Sequence, residues 1–496
     1  MDWAEALEAV RRRRWRGQTL AGVTEDTARL RPAMVFVARI GLHHDGHTFL
    51  RQARASGAAF TVGARPVAPG LPDVLVPDPA AALAHLVAAW HGDPGENLRI
   101  VGITGTNGKT TVAHLTAAIF TAAGHPTGTI GTLGCRFSDR GLATTHTTPP
   151  PEVLYPLLAE WREADATHVV MEVSAQSLTQ RRTAACRFSV AALTCLTREH
   201  GECFPDDNAY QAAKQALFTA VRGAAVLPAD DPAFQAFAAA ASHARLVTFG
   251  RGGDIDIGWI GGGLTGSVAE IHFPHSRPQR LELRLPGRHN LRNAACAAAI
   301  AWAAGVTAEV IVAALRGAVP APGRANCQWL PDLRAWAVVD YAHNPGALVA
   351  VLRWLRESVR GCLYVVIGAR GGRDTGKRPL MGAAIAALAD GAIFTADRPG
   401  DEDPAEAVAQ MLQAARGCGL RARFVRDRAE AIAAATRLLR AGDCLLVTGK
   451  GSEPWDADDS TSWPYATDRT DGAVLRDLGA HPIPLHTPGE MVCAGS

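Results

Sequence analysis

The feature that most constrains this chain lies just past residue 100. Gly102-Ile-Thr-Gly105-Thr-Asn-Gly108-Lys109-Thr110 is the pattern G-x-x-x-x-G-K-T, and Thr111 follows it directly. The apolar run Leu98–Ile103 before it predicts a strand, and the run Val112–Ala122 after it predicts a helix. A strand that turns through glycines into a helix presents convergent backbone N–H groups and the positive end of a helix dipole, which together cradle phosphate. In that setting Gly105, Thr106, Asn107, Gly108 and Thr111 line the cradle. Lys109 is placed for the β- and γ-phosphates, and the Thr110 hydroxyl for magnesium. The bland alternative is a chance glycine turn, and the strand-to-helix context argues against it. The chain is expected to bind a nucleoside triphosphate at the edge of a parallel sheet.

Along the chain, β-type apolar runs alternate with alanine-rich helical stretches, the pattern of α/β domains with parallel sheets. A length of 496 residues suits about three domains. We expect a smaller N-terminal α/β domain at 1–97, holding the strand Met34–Ala38 and ending at the Gly/Pro segment His91–Gly95. A central domain of phosphate-loop ATPase type is expected at 98–329, with a further strand at His168–Val173. Its glycine-rich stretch Gly250–Gly263 and the alternating residues after it suggest a β excursion. The Pro/Gly-rich Val319–Gly323 leads to a C-terminal domain at 330–496, with strands at Ala335–Val339, Leu363–Gly368, Gly391–Thr395 and Cys444–Thr448. Helical segments between these strands predict a second, Rossmann-like doubly wound sheet. The last dozen residues read as a loose tail.

A hydrophobic share of 48% with 20% charged residues fits a globular protein with ample core. The net charge of +2 asks for neither nucleic acid nor an anionic membrane. The basic run Arg11–Arg14 is read as a solvated helix face. No run of about 20 apolar residues is present, and the first residues lack a signal-peptide pattern. Ten cysteines occur singly without a C-x-x-C pair, so they read as core thiols rather than a zinc site or a disulfide framework. A cytoplasmic location is expected.

The loop Thr104–Thr111 resembles that of the Mur ligases of peptidoglycan synthesis, and the likeness extends over most of the chain. Its landmarks are HTTP (146–149), MEVSAQSLTQRR (171–182), YQAAKQALF (210–218), LPGRHNLRNA (285–294), PGR (322–324), VVDYAHNPGAL (338–348), GARGGRDTGKRPLMG (368–382) and VTGKGSE (447–453). Looser matches are VTEDTARLRPAMVFVA (23–38) and HDGHTF (44–49). Within the family the likeness is to the tripeptide-forming members. It implies a three-domain ligase in which ATP phosphorylates a carboxylate and an amino acid's amine attacks the acyl-phosphate, releasing ADP and phosphate. The N-terminal domain would take the uridine diphosphate of a nucleotide-sugar peptide, and the C-terminal domain the amino acid.

The resemblance also implies roles for individual residues. Lys109, Glu172, His200 and Lys214 would be catalytic, with Thr110, Glu172, His200 and a CO2-derived carbamate on Lys214 as the magnesium ligands. Asn290 would meet adenine, and Arg324, Asp340 and His343 the ribose and phosphates. Thr147, Thr148, Ser174, Gln180 and Arg182 would face the muramoyl peptide, and Arg373, Asp397, Arg398, Gly449 and Glu453 the amino acid. Taken singly, Lys214 would read as a solvated helical lysine and His200 as a polar loop residue. Asp340 and His343 would equally suit the cap of a helix starting near Pro345. A monomer acting on small molecules is expected.

Departures from the family pattern fall at substrate positions. Thr27-Ala28 stands for a Ser-Arg pair, Ser174-Ala-Gln176 for Ser-Ser-His, and Ser452 for the histidine of a Gly-Lys-Gly-His-Glu element. The diaminopimelate motif Asp-Asn-Pro-Arg appears as Asp397-Arg398-Pro399-Gly400, which argues against that amino acid. Arg398 either pairs with an acidic group of another amino acid or serves structurally. Two alternatives therefore stand beside a cell-wall ligase. One is a paralogue acting on a different carboxylate, as in specialised metabolism. The other is a non-catalytic nucleotide-binding partner.

Overall fold

In the computed structural model the described residues are 2–41, 44–144, 146–197, 201, 203–372, 374–398, 400, 402–453 and 470–482. Three mainly parallel sheets follow one another along the chain. The first has four parallel strands in chain order: Gly22–Thr24, Met34–Val37, Phe60–Gly63 and Val74–Leu75. Helix Trp3–Arg11 opens at Asp2 with a reciprocal capping box to Glu5, which satisfies two of its free backbone donors. Helix Pro79–Trp90 begins at an Asp78 cap followed by proline. Its Leu83, Leu86 and Val87 share a core with Leu154, Leu158 and Trp161 of helix Pro151–Glu163, so the first sheet's helix also packs on the next layer.

The second sheet has eight strands. Six are parallel, in the order Thr127–Gly131, His168–Glu172, Arg99–Thr104, Phe188–Leu193, Ala224–Pro228 and Arg245–Phe249. Gly134–Phe137 and Arg140–Leu142 extend one edge antiparallel. All five residues of His168–Glu172 are buried, as expected where helices cover both faces. Glu172 pairs in register with Ile103, so the end of this strand lies beside the start of the phosphate loop. The expected β excursion is a three-stranded antiparallel sheet, Asp256–Gly262, Ser267–His272 and Gln279–Leu283. Its alternate residues Ala269, Ile271, Leu281 and Leu283 point into a core shared with helix Arg288–Ala303.

The third sheet orders Ala422–Phe424, Gly391–Ala396, Leu363–Ala369, Cys444–Thr448 and Ala335–Asp340 in parallel. Asn326–Leu330 and His481–Pro482 complete it antiparallel. Separate apolar clusters cover its two faces, one around Leu352, Ile385 and Met411 and one around Ile432, Ala435 and Leu475, which makes it doubly wound.

Four expectations need correction. The phosphate-loop helix spans Lys109–Ala122, beginning three residues before the apolar pattern does, because Gly108 at φ +86° already turns the chain into it. Only Arg11 of the basic run is helical. Arg13 has φ +52°, and Arg14 enters a two-stranded hairpin, although all four arginines are exposed. Cys203, Cys362 and Cys418 are exposed rather than core. The helix Pro345–Ser358 is capped by Asn344, not by Asp340 or His343. The expected tail, with His200 and Arg373, lies outside the described residues.

Candidate active site

The loop between strand Arg99–Thr104 and its helix is drawn tight against the segment after Phe188–Leu193. Thr106 N–H donates to Cys195 O at 2.9 Å, and the Thr194 hydroxyl donates to Asn107 O at 2.6 Å. The Thr106 hydroxyl donates to Thr197 O at 2.9 Å. Two glycines have no substitute here. A Cβ on Gly105 (φ +141°) would stand 2.0 Å from Thr194 Oγ1, and one on Gly108 would stand 2.3 Å from Asn293 Oδ1. Lys109 Nζ folds back onto Gly105 O at 2.8 Å and Thr106 O at 3.0 Å, and Thr111 is buried in the first turn.

Beside this loop an oxygen-rich corner forms. Glu172, 2% exposed, accepts from the Thr110 hydroxyl at 3.0 Å on one oxygen and from Thr132 N–H at 2.9 Å on the other. Gly131 makes room for it, since a Cβ there would come within 2.1 Å of Glu172 Oε1. Lys214, in helix Asp207–Thr219, is 1% exposed and therefore not a solvated lysine. Its Nζ donates to Gly105 O at 3.0 Å and lies 4.4 Å from the centre of the Tyr210 ring. Lys109 and Lys214 thus bond the same carbonyl oxygen. Among the described residues no group of three or more His, Cys, Asp or Glu converges as a metal cluster.

The third sheet reaches into this corner. Arg324 Nη2 donates to Thr110 Oγ1 at 3.1 Å. Asn344 Nδ2 donates to Asn107 Oδ1 at 2.8 Å while Asn344 Oδ1 caps helix Pro345–Ser358 at Ala347 N–H. Asp340 accepts from Ala325 N–H at 2.7 Å and Ala342 N–H at 2.8 Å, so it shapes the Arg324 turn. His343 Nδ1 lies 2.9 Å from Tyr341 O. Asn290 is buried and donates to Pro286 O at 2.8 Å, and it accepts from Asn293, the neighbour of Gly108. Asn344→Ala is expected to lower stability by about 1 kcal/mol through loss of the cap, read as a lower denaturant midpoint. An unchanged midpoint would show that the cap is replaced by solvent.

Thr147 and Thr148 follow the Thr132 side of the corner. Thr147 Oγ1 lies 3.4 Å from Thr132 Oγ1. The Thr148 hydroxyl donates to Glu172 O at 2.9 Å, and Ser174 N–H donates to it at 3.1 Å. Ser174 caps the short helix Ala175–Thr179. The Arg182 guanidinium spans Thr148 O at 2.6 Å and Gln180 Oε1 at 2.7 Å, joining three of the substrate-side residues. Burial, and then the charge of Arg39, lowers the Arg182 pKa. Arg39 is itself held by both oxygens of Glu25. Burial, with the nearby Glu25 charge, raises the Glu152 pKa.

On the far side lies a cluster of charged groups. Glu453 accepts from the Tyr341 hydroxyl at 2.6 Å on Oε1, and its Oε2 meets Arg370 at 2.7 Å and Arg398 at 3.3 Å. The Tyr341 ring carries the Arg324 guanidinium 4.0 Å from its centre. Burial pushes the Tyr341 hydroxyl up to about 12, which keeps it a donor. Asp397 pairs with Lys450 at 3.0 Å, both side chains 3% exposed. Burial alone would raise the Asp397 carboxyl, but Lys450, Arg370 and Arg428 outweigh it and hold it below the ordinary range. Gly449 adopts φ +105° beside Asp397. Thr132, Asn344, Arg370 and Lys450 belong to this site although the sequence reading gives them no role. Of these only Asn344, a polar residue directly before a helix-starting proline, carried a local signal.

Comparison with known proteins matches residues 103–301 to the model of the Mur ligase middle domain, and residues 326–451 to that of the Mur ligase, glutamate ligase domain. The chain is 37% identical over 444 residues to the UDP-N-acetylmuramoyl-L-alanyl-D-glutamate–2,6-diaminopimelate ligase of Gloeobacter violaceus, covering 88% of this chain and 90% of that one. The enzyme of the same name from Alkalilimnicola ehrlichii is 37% identical over 490 residues, with 93% and 95% covered. A solved structure of a ligase of that name superposes with a TM-score of 0.67 at 28% identity, over 94% of this chain and 96% of the other. The MurF structure from Acinetobacter baumannii shares the fold at TM-score 0.64 and 22% identity, with 90% and 95% covered.

Proposed function

The chain belongs to the Mur ligase family, and from that premise we propose that it couples an amino acid to the terminal carboxylate of a UDP-N-acetylmuramoyl dipeptide. It is an ATP-dependent, ADP-forming ligase of peptidoglycan synthesis. The observation that carries the proposal is that Lys109 and Lys214 meet on Gly105 O in the same loop whose Thr110 bonds Glu172, at the carboxyl edge of the second sheet.

In this reading Lys109 leaves the Gly105 and Thr106 carbonyls to pair with the β- and γ-phosphates. Magnesium suits the corner beside it, because Glu172 and Thr110 offer hard oxygen donors next to the phosphate cradle. His200, outside the described residues, is proposed as a further ligand. The bound ion supplies charge neutralisation for the phosphates. A substrate carboxylate oxygen then attacks the γ-phosphorus and ADP leaves. The amine next attacks the acyl carbon, phosphate departs, and the amine loses a proton. Thr147, Thr148, Ser174, Gln180 and Arg182 orient the carboxylate substrate, and Asn290, Arg324, Asp340 and His343 the nucleotide. Arg373, Asp397, Arg398, Gly449 and Glu453 receive the amino acid.

A carbamate on Lys214 belongs to the same proposal. Two ammonium groups on one carbonyl oxygen repel each other. Loss of a proton from the Lys214 ammonium, addition of CO2 to the resulting amine and loss of a second proton turn one of them into an anion and the repulsion into attraction. A monomer acting on small molecules is part of the same proposal. A cytoplasmic site of action is proposed with it, and among the described residues no helix is long and apolar enough to cross a membrane.

One observation favours a second reading, a ligase for another carboxylate. Glu25 occupies Arg39 and, with Glu152, lies within charge range of Arg182, so carboxylates already take up cations on the side proposed for an anionic nucleotide-sugar substrate. Both readings are tested by phosphate release from ATP with UDP-N-acetylmuramoyl-L-alanyl-D-glutamate crossed with an amino-acid panel. Release that requires one amino acid, with a new amide seen by mass spectrometry, is expected. Silence with that acceptor while ATP still binds would favour the second reading.

A further inference from the structure

We infer that Arg428, clasped by Asp471, is a positioning residue of the amino-acid pocket: it fixes the turn Thr448–Lys450 and thereby sets where Lys450 stands against Asp397. The inference deepens the ligase reading and rests on it for the identity of the pocket.

The Arg428 side chain is 4% exposed, and that of Asp471 is fully buried. Arg428 Nε donates to Asp471 Oδ1 at 2.6 Å and Nη2 to Asp471 Oδ2 at 2.8 Å, a two-pronged grip that fixes the plane of the guanidinium. The same Nη2 donates to Thr448 O at 2.9 Å, at the last residue of strand Cys444–Thr448. The Thr448 hydroxyl donates in turn to Ala342 O at 2.7 Å, so this residue is held from two sides. Directly beyond it Gly449 turns through φ +105°, and Lys450 then meets Asp397, the residue after strand Gly391–Ala396. The ends of two strands that are separated in the sheet by Leu363–Ala369 are thus joined in one ion pair. With Thr448 O held, the glycine turn leaves the sheet from a fixed point, and the flexible lysine stem has a fixed root. Against the burial that raises the Asp397 carboxyl, the charges of Lys450, Arg370 and Arg428 together hold it low.

Stability alone does not account for this pair. The attraction within a buried ion pair is largely offset by the desolvation of both charges. Arg428 is also the first residue of helix Arg428–Thr436, the end at which the helix dipole disfavours a cation. Its Nη1 is buried without a hydrogen-bond partner among the described residues, which is a further cost. What the pair supplies is a rigid fork that reaches Asp471 and Thr448 O at once. An apolar pair of similar volume would fill the same space and leave Thr448 O unheld.

The test is calorimetric titration of the full chain, loaded with a non-hydrolysable ATP analogue, with L-alanine, L-aspartate, L-lysine and meso-diaminopimelate. The tightest of the four in the wild-type protein is then titrated into R428M/D471L, which replaces the ion pair by apolar side chains. That variant is expected to keep a denaturant midpoint close to wild type and to bind the ATP analogue as tightly. It is expected to bind the amino acid at least about tenfold more weakly. A purely structural pair predicts wild-type amino-acid affinity once the midpoint is kept, and that result would overturn the inference. So would an equal loss of affinity for the ATP analogue and the amino acid. Where the double variant does not fold, R428K decides, because it keeps the charge without the fork. Its amino-acid affinity is expected to fall by about threefold to tenfold, and an unchanged value overturns the inference. A wild-type protein that binds none of the four sinks the amino-acid pocket and the inference with it. Turnover with the muramoyl acceptor is scored separately. A chain whose variants weaken the amino acid in this way yet which ligates nothing sinks the ligase reading and leaves the positioning role standing.

Discussion

A Lys214→Ala variant is expected to form amide at least about a hundredfold more slowly than the wild-type protein while still binding ATP. The side chain is 1% exposed beneath the phosphate loop, and its Nζ holds Gly105 O at 3.0 Å. The helix that carries it keeps its apolar anchors Leu217 and Phe218, so the truncation leaves a cavity without removing the core. That cavity makes a decisive addition experiment possible. Formate or acetate restores part of the rate if the working group is an anionic carbamate. Methylammonium restores it if the working group is the plain ammonium. Rescue by methylammonium alone, or full activity without any addition, would sink the carbamate.

Glu172→Gln is expected to cost about a hundredfold to a thousandfold in turnover and to raise the magnesium concentration needed for half-maximal rate. The amide has the same shape, so Thr132 N–H can keep its acceptor. The other oxygen faces the Thr110 hydroxyl, which Arg324 already uses as an acceptor, so the hydroxyl has its one proton to give to Glu172. A glutamine NH2 turned to that side would confront donors, and the negative charge of the corner would be gone. An unchanged magnesium midpoint in this variant would place the metal elsewhere.

Much of the fold was legible because its strands are short apolar runs between polar breaks. The strand expected at Cys444–Thr448 has those bounds in the structure, and the others shift by a residue or so at an end. What the pattern hid was polar or non-local. Lys109, Thr110 and Thr111 carry no apolar signal, so the first turn of their helix could not be read from periodicity. Nothing in the residue itself marks Thr132. It reaches Glu172 because strand Thr127–Gly131 lies next to His168–Glu172, an adjacency fixed by crossover packing. Lys214 taken singly reads as an exposed helical lysine, and only the family resemblance marks it, because the packing that buries it under the loop is non-local. Arg398 meets Glu453, a contact between residues far apart in sequence that no local pattern shows.

The line Glu172–Thr110–Arg324–Tyr341–Glu453 crosses from the second sheet to the third through two turns, 322–324 and 449–453, that touch each other closely. A Cβ on Gly323 would fall 2.0 Å from Ser452 N, so neither turn can be rebuilt alone. Anyone grafting an amino-acid pocket from a relative onto this chain would have to carry both turns and Tyr341 together.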